Sequence, residues 1–177
     1  MFSPLVRLVL IVTGLALGGF QVAWGQARGW FVIAAAALLV LGYFRYGTVW
    51  LGFRAYRRGD VEGMERRLRQ VRDPAWLRDQ DRAYYEFLAG VAAESRGDLE
   101  GARAHLTAAA TGRLRTDNMR SIVQCHLAEV ALANGDSDGA REHLEAARRL
   151  SHAPAVDRVI GDLEGRLPAA GQSRVIT

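Results

Sequence analysis

The side chains able to do chemistry in this chain are few: four histidines, His105, His126, His143 and His152, and one cysteine, Cys125. Cys125 and His126 are neighbours, the residue types of a thiol nucleophile and its base. On a helix, however, adjacent residues point apart, and the expectation is a small buried thiol. A lone cysteine also excludes an internal disulfide and any Cys-pair metal site, and it fits a reducing compartment. His105 and His143 are 38 residues apart. Neither has a second ligand four residues on, as a helical metal motif requires, so a repeated position explains them and no metal is expected. Glu86, Glu94 and Glu129 either line a groove or are solvated. No serine sits in a strand-turn-helix context, and no glycine loop follows a strand to cradle phosphate. No catalytic residue, no cofactor and no metal follow from these residues, and an enzyme is not expected.

The elements that must carry these residues are written in a motif used three times. Gly59-Asp60, Gly97-Asp98 and Gly135-Asp136 recur at intervals of 38, each followed by a second glycine at Gly63, Gly101 or Gly139. A fixed period of this size points to stacked structural repeats. Glycine takes the left-handed conformation that ends one helix. Aspartate then caps the next by accepting a backbone N–H bond at its positive end. The unit is therefore helix, tight turn, helix, with second helices starting near 60, 98 and 136. Small residues at Gly52/Gly90/Ala128 and Met64/Ala102/Ala140 let paired helices approach, and Leu68/Leu106/Leu144 fill the space between turns. Residues 153–167 read as a capping helix with Pro154 in its first turn. Its stripe is Val156, Val159, Ile160 and Leu163, and an open stack needs such a cap.

With Leu88-Ala89-Gly90, Gly97-Asp98, Ala102, Leu106 and Ala109, and with Leu127-Ala128, Gly135-Asp136, Ala140, Leu144 and Ala147, the chain resembles the tetratricopeptide repeat family over about residues 48–150. The period of 38 exceeds the family's usual 34, the extra residues fall at 72–81 and 112–118, and Met64 replaces the close-packing alanine. The resemblance implies a concave face built from the leading helix of each hairpin, presenting Tyr84, Phe87, Val91, Ile122, Cys125 and Glu129 to a protein partner. The Lys, Asn and Arg set with which family members clamp a peptide carboxylate is missing, so an apolar segment is the expected ligand.

The first fifty residues differ in kind. They hold Arg7, Arg28 and Arg45 and no acid. Residues 5–24 carry one charge and just span a bilayer core of about 30 Å. Residues 30–44 are charge-free, and Trp24, Trp30, Tyr43, Tyr46 and Trp50 fall where interfacial aromatics belong. A hairpin of two membrane helices, 5–24 and 30–50, is expected, joined by a turn over residues 25–29. Gly14 and Gly18 form a small-xxx-small pair for packing against the second helix or a partner. The lesser alternative is that Arg7, the apolar run and Gly25-Gln26-Ala27 form a cleavable signal peptide, which would leave one membrane helix. No Pro or Ser/Gly-rich stretch separates 44 from 58, so the second membrane helix continues into the first repeat.

Residues 54–82 carry net +3 and residues 83–177 net −2. The basic charge thus flanks the apolar segment, a membrane-surface distribution. Arg45, Arg54, Arg57 and Arg58 are expected against lipid headgroups, and the positive-inside rule places both ends in the cytoplasm. Acids interleave with these arginines, and no nucleic acid is expected. The chain is therefore expected to be all-α: a membrane hairpin (1–50), an α-solenoid of about three hairpin repeats with its cap (51–167), and a flexible tail (168–177). It would be an integral protein of a bacterial inner membrane, acting as a scaffold that recruits a cytoplasmic or membrane-embedded protein. The alternative is a small accessory or assembly subunit of a larger membrane complex. The sequence does not set the oligomeric state.

Overall fold

The computed structural model describes residues 4–25, 28–71 and 73–168; the side chains at 4–11, 15, 28, 36 and 38–48 lie outside that description. The described residues form eight α-helices and one 3₁₀ turn, with no strand among them. The chain divides into two compact units, Met1–Thr48 and Val49–Thr177.

In the first unit, α1 (Pro4–Ala23) turns through Gly25, at φ +71°, towards α2 (Arg28–Tyr56). The helices meet glycine to glycine. A Cβ on Gly18 would lie 2.7 Å from Ile33 Cγ1 and 3.1 Å from the Gly29 carbonyl, and one on Gly29 would lie 2.7 Å from the Gly18 carbonyl. Of the expected pair, Gly18 thus faces the second helix, while Gly14 is half-exposed. Gly29, expected in the turn, belongs to the first turn of α2, so the connection is shorter than expected. Val12, Leu17, Phe20, Trp24, Trp30 and Phe31 are each more than half exposed. Among the described residues no helix is long and apolar enough to cross a membrane. α2 is unbroken to Tyr56, and residues 49–56 serve as the leading helix of the first repeat.

The second unit continues with α3 (Val61–Leu68), α4 (Asp79–Ser95), α5 (Leu99–Thr111), α6 (Asp117–Ala133), α7 (Ser137–Arg149) and α8 (Pro154–Gly165). Its three turns are near copies. Gly59, Gly97 and Gly135 stand at φ +72°, +76° and +76°, and in each the glycine and aspartate N–H groups close a Schellman motif, as in Gly97→Glu94 at 2.9 Å and Asp98→Ala93 at 3.0 Å. Asp60, Asp98 and Asp136 each accept the N–H of the residue three on, at 2.8–2.9 Å. The second glycine follows from this cap, because a Cβ on Gly63, Gly101 or Gly139 would collide with the capping carboxylate itself.

Met64, Ala102 and Ala140 are fully buried, and Leu68, Leu106 and Leu144 fill the interior beside them. Phe87 and Leu106, at 0% exposure, each contribute roughly 1.5–3 kcal/mol by burial. α8 closes the stack on α6 and α7 through Val156, Ile160 and Leu163. Val159 is 44% exposed and does not belong to that stripe, since the buried spacing of four and three residues leaves it off the facing side. The extra residues of the long period include a 3₁₀ turn, Pro74–Trp76, capped by Asp73, and the loop before α6. Residues 169–177, most of the expected tail, lie outside the described residues.

Candidate functional site

The leading helices of the three repeats, the end of α2, α4 and α6, place their inward side chains on one face. Tyr56, from the last turn of α2, sets its ring edge-on to Phe87 of α4 at 5.0 Å between centroids, and Phe87 lies edge-on to the His126 imidazole of α6 at 5.5 Å. Above this stack runs a polar chain. Tyr56 Oη is 3.2 Å from His126 Nε2, and His126 Nδ1 is 2.8 Å from Glu94 Oε2. Glu129, one turn along α6, brings a carboxylate so that one donor atom each of Glu94, His126 and Glu129 lies within 4.8 Å of the others. Arg166, just past α8, pairs with Glu129 at 3.1 Å. The side chains of His126 and Glu94 are 18% and 17% exposed, half-buried but reachable. Burial, helped by the nearby charges of Glu94 and Glu129, pushes the Tyr56 hydroxyl up to about 12, so it remains a neutral hydrogen-bonding group.

The expected groove is corrected by this packing. Phe87 is fully buried, and Val91 and Cys125 are 9% and 4% exposed, so these three belong to the core. With only three hairpins, each leading helix is covered by rings from its neighbour. Tyr84 is half-buried edge-on to Phe53 at 5.4 Å, and Ile122 packs against both core clusters. Of the six, Glu129 alone contributes to the polar cluster. The face offers carboxylates, an imidazole and a phenol rather than an apolar trough.

The residues singled out for chemistry fall into place. Burial, then the Glu129 charge, pushes the Cys125 thiol up to about 11, unsuited to a nucleophile, and His126 points away from it to the polar face. His105 bonds Glu86 at 2.7 Å and His143 bonds Gln124 at 2.8 Å. Both links join a trailing helix to its leading helix at positions 38 apart, so they are one structural contact made twice. The sequence gives Tyr56 no site role and offers His126 only as a neighbour of Cys125. The available signal was a break in the repeat: His126 and Glu129 stand where the preceding repeat has Leu88 and Val91.

A second feature lies on the last turns of α2. Trp50, Phe53, Arg54, Arg57 and Arg58 line a cleft of about 360 Å³. The three arginines are exposed and make no ion pair among the described residues. Trp50 is 57% exposed and stacks on Phe53 at 5.9 Å. Three unpaired guanidiniums beside an aromatic wall can take phosphate oxygens in forked hydrogen bonds. The side chain of Arg45 lies outside the described residues. Another cleft, of about 480 Å³, opens where the period is lengthened, between Arg82 and Glu86 on one side and Thr111 and Arg113 on the other.

No curated protein and no solved structure matches the chain. A family model described as a tetratricopeptide repeat-like domain matches residues 78–172, which takes in the second and third hairpins and the cap and exceeds half of the 177 residues. With its three Gly-Asp turns, paired helices and closing cap, the chain belongs to the family of tetratricopeptide repeat-like domains.

Proposed function

We propose that this protein is a membrane-anchored scaffold whose repeat unit recruits a protein partner at the cytoplasmic face. The observation that carries this is the contrast in surface. Six large apolar side chains are exposed on the first unit, a density that marks contact with lipid or protein, and the repeat unit is charged. Trp50, Arg54, Arg57 and Arg58 would meet anionic headgroups, each basic residue near such a surface being worth about 1 kcal/mol. The apolar runs at 5–24 and 30–44 would form the anchor in a bacterial inner membrane. The role we infer is recruitment rather than catalysis, in keeping with a Cys125 thiol that burial pushes up to about 11. The alternative, an accessory subunit of a membrane complex joined through Gly14 and Gly18, has less behind it, because Gly18 is already occupied by Gly29 and Ile33.

The test is to replace residues 1–48 with an unrelated membrane anchor, express the chain at native level, and identify by mass spectrometry what copurifies in gentle detergent. A scaffold keeps its partner after the swap. Loss of every stoichiometric partner on the swap would assign the interaction to the hairpin and sink the scaffold role.

A further inference from the structure

We propose that Glu94, His126 and Glu129 form a binding site for a divalent first-row transition cation such as Zn²⁺. Three features point there. First, the donors converge from two helices: Glu94 from the end of α4, and His126 and Glu129 one turn apart on α6, their atoms within 4.8 Å of each other. Zinc binds imidazole nitrogen and carboxylate oxygen at about 2.0–2.2 Å, which puts ligand atoms roughly 3.4 Å apart in a tetrahedral arrangement. The 2.8 Å from His126 Nδ1 to Glu94 Oε2 is close to that already, and Glu129 reaches in by a rotamer change.

Second, the contact between Nδ1 and Glu94 marks a place where a metal ion can stand in for the bridging proton. A bare imidazole nitrogen and a carboxylate oxygen are both acceptors and repel at that distance, so a proton or a metal ion must lie between them. Third, the other ring nitrogen is already held. Tyr56 Oη, 3.2 Å from Nε2, accepts the Nε2–H of the tautomer that frees Nδ1 for a metal, the outer hydrogen bond that metal-ligating histidines carry. Two carboxylates and a neutral imidazole offset a divalent charge. The imidazole favours a transition cation over Ca²⁺ or Mg²⁺, and Zn²⁺ over Mn²⁺. The Arg166–Glu129 pair is no barrier, because its side chains are 54% and 42% exposed and such pairs hold weakly. Three protein ligands leave a fourth position open to water or to a donor from a partner. His105–Glu86 is the contrasting case, a two-residue contact that no third donor joins among the described residues.

The test is calorimetric titration of the full-length protein in detergent with Zn²⁺ alone, in a non-chelating buffer, with Co²⁺ absorption as the spectroscopic readout. Saturable binding of one equivalent is expected. Glu129→Gln, at a partly exposed position where folding is not at risk, should weaken it at least tenfold. Tyr56→Phe should weaken it by about 10–100-fold through the lost outer hydrogen bond. His105→Asn should leave it unchanged, and circular dichroism checks each fold. Absence of saturable binding at micromolar Zn²⁺ overturns the site. So does weak uptake of several ions that is indifferent to Glu129→Gln and Tyr56→Phe, which is adsorption to surface carboxylates.

Discussion

Replacing Gly90 with alanine should destabilise the repeat unit, against the general rule that alanine improves a helix. Gly90 sits mid-way along α4, and a Cβ there would lie 2.6 Å from Leu106 Cγ, 2.9 Å from its Cδ2 and 3.2 Å from its backbone nitrogen. Carbon atoms prefer about 3.5–4.0 Å, so the overlap is about 1 Å. It falls on a branch point and on backbone, neither of which can swing aside. Leu106 is fully buried, and relief requires α4 and α5 to separate. Overpacking of this kind costs about 1–3 kcal/mol, and the overlap places it at the upper end. Alanine returns about 1 kcal/mol of helix propensity, which leaves a net loss of about 1–2 kcal/mol. Gly161, on α8, is the control, since a Cβ there meets nothing within 4 Å, and Gly161→Ala should stabilise by about 0.5–1 kcal/mol. Denaturant titration followed by circular dichroism separates the two by sign. If Gly90→Ala stabilises as Gly161→Ala does, the close approach of α4 to α5 is wrong, and with it the packing of the second hairpin.

Asp98→Ala should cost about 1 kcal/mol in the same assay through the lost cap, and Gly101→Ala at least as much, because its Cβ displaces the Asp98 carboxylate; equal stability of Gly101→Ala and wild type would refute the account of the second glycine. His152 has both ring nitrogens on acceptors, Asp157 Oδ1 at 2.9 Å and the Leu150 carbonyl at 2.6 Å, and the bond to Asp157 leads in raising its pKa above 6.5. Its contribution is therefore fully present below about pH 6.5 and is lost as pH rises through the raised folded value. Burial lowers the His143 pKa and gives the opposite slope, so the readout is the difference between wild type and Asp157→Asn, which should shrink from pH 6 to pH 8 and would be flat if the pair is idle. Cys125 should react with a thiol reagent at pH 8 far more slowly in the native protein than in denaturant, and equal rates would show that its burial is not maintained.

The repeats were legible because their determinants are local. A glycine at positive φ and a capping aspartate act within four residues of chain, so Gly97-Asp98 announces its turn without knowledge of the rest. The apolar positions that obey the period of 38, such as Leu68, Leu106 and Leu144, were legible for the same reason. The polar face was not, because Tyr56 and His126 are 70 residues apart and meet only once three helices have stacked. By sequence alone Phe87 belongs to a groove, since its position faces inward on the leading helix. What buries it is the ring of Tyr56 from the preceding repeat, a contact no helical spacing encodes. Gly29 reads as loop in the sequence because a glycine inside a helix gives no signal of its own; its reason is the Gly18 carbonyl across the hairpin.

The departures from the period carry their own energetics. His126 stands where the preceding repeat has Leu88, and Glu94 stands where the following repeat has Leu132. Leu88 is fully buried, so a histidine in its place costs desolvation unless both ring nitrogens find partners, and both do, on Tyr56 and Glu94. Restoring the repeat at one position should therefore harm the fold, and restoring it at two should harm it less. His126→Leu alone leaves a half-buried carboxylate and a largely buried phenol without their partner, a loss of about 1–3 kcal/mol. His126→Leu with Glu94→Leu removes both ends of the contact with Glu94 and regains apolar burial, recovering most of that loss and leaving only the cost of the Tyr56 hydroxyl that has lost His126. Zn²⁺ binding should vanish in both variants. A double variant as unstable as the single one would mean that the polar chain is required by the packing of this stack. Recovery of stability in the double variant, beside Zn²⁺ binding by the wild type, would mean that repeat symmetry was broken here for a ligand and not for the fold.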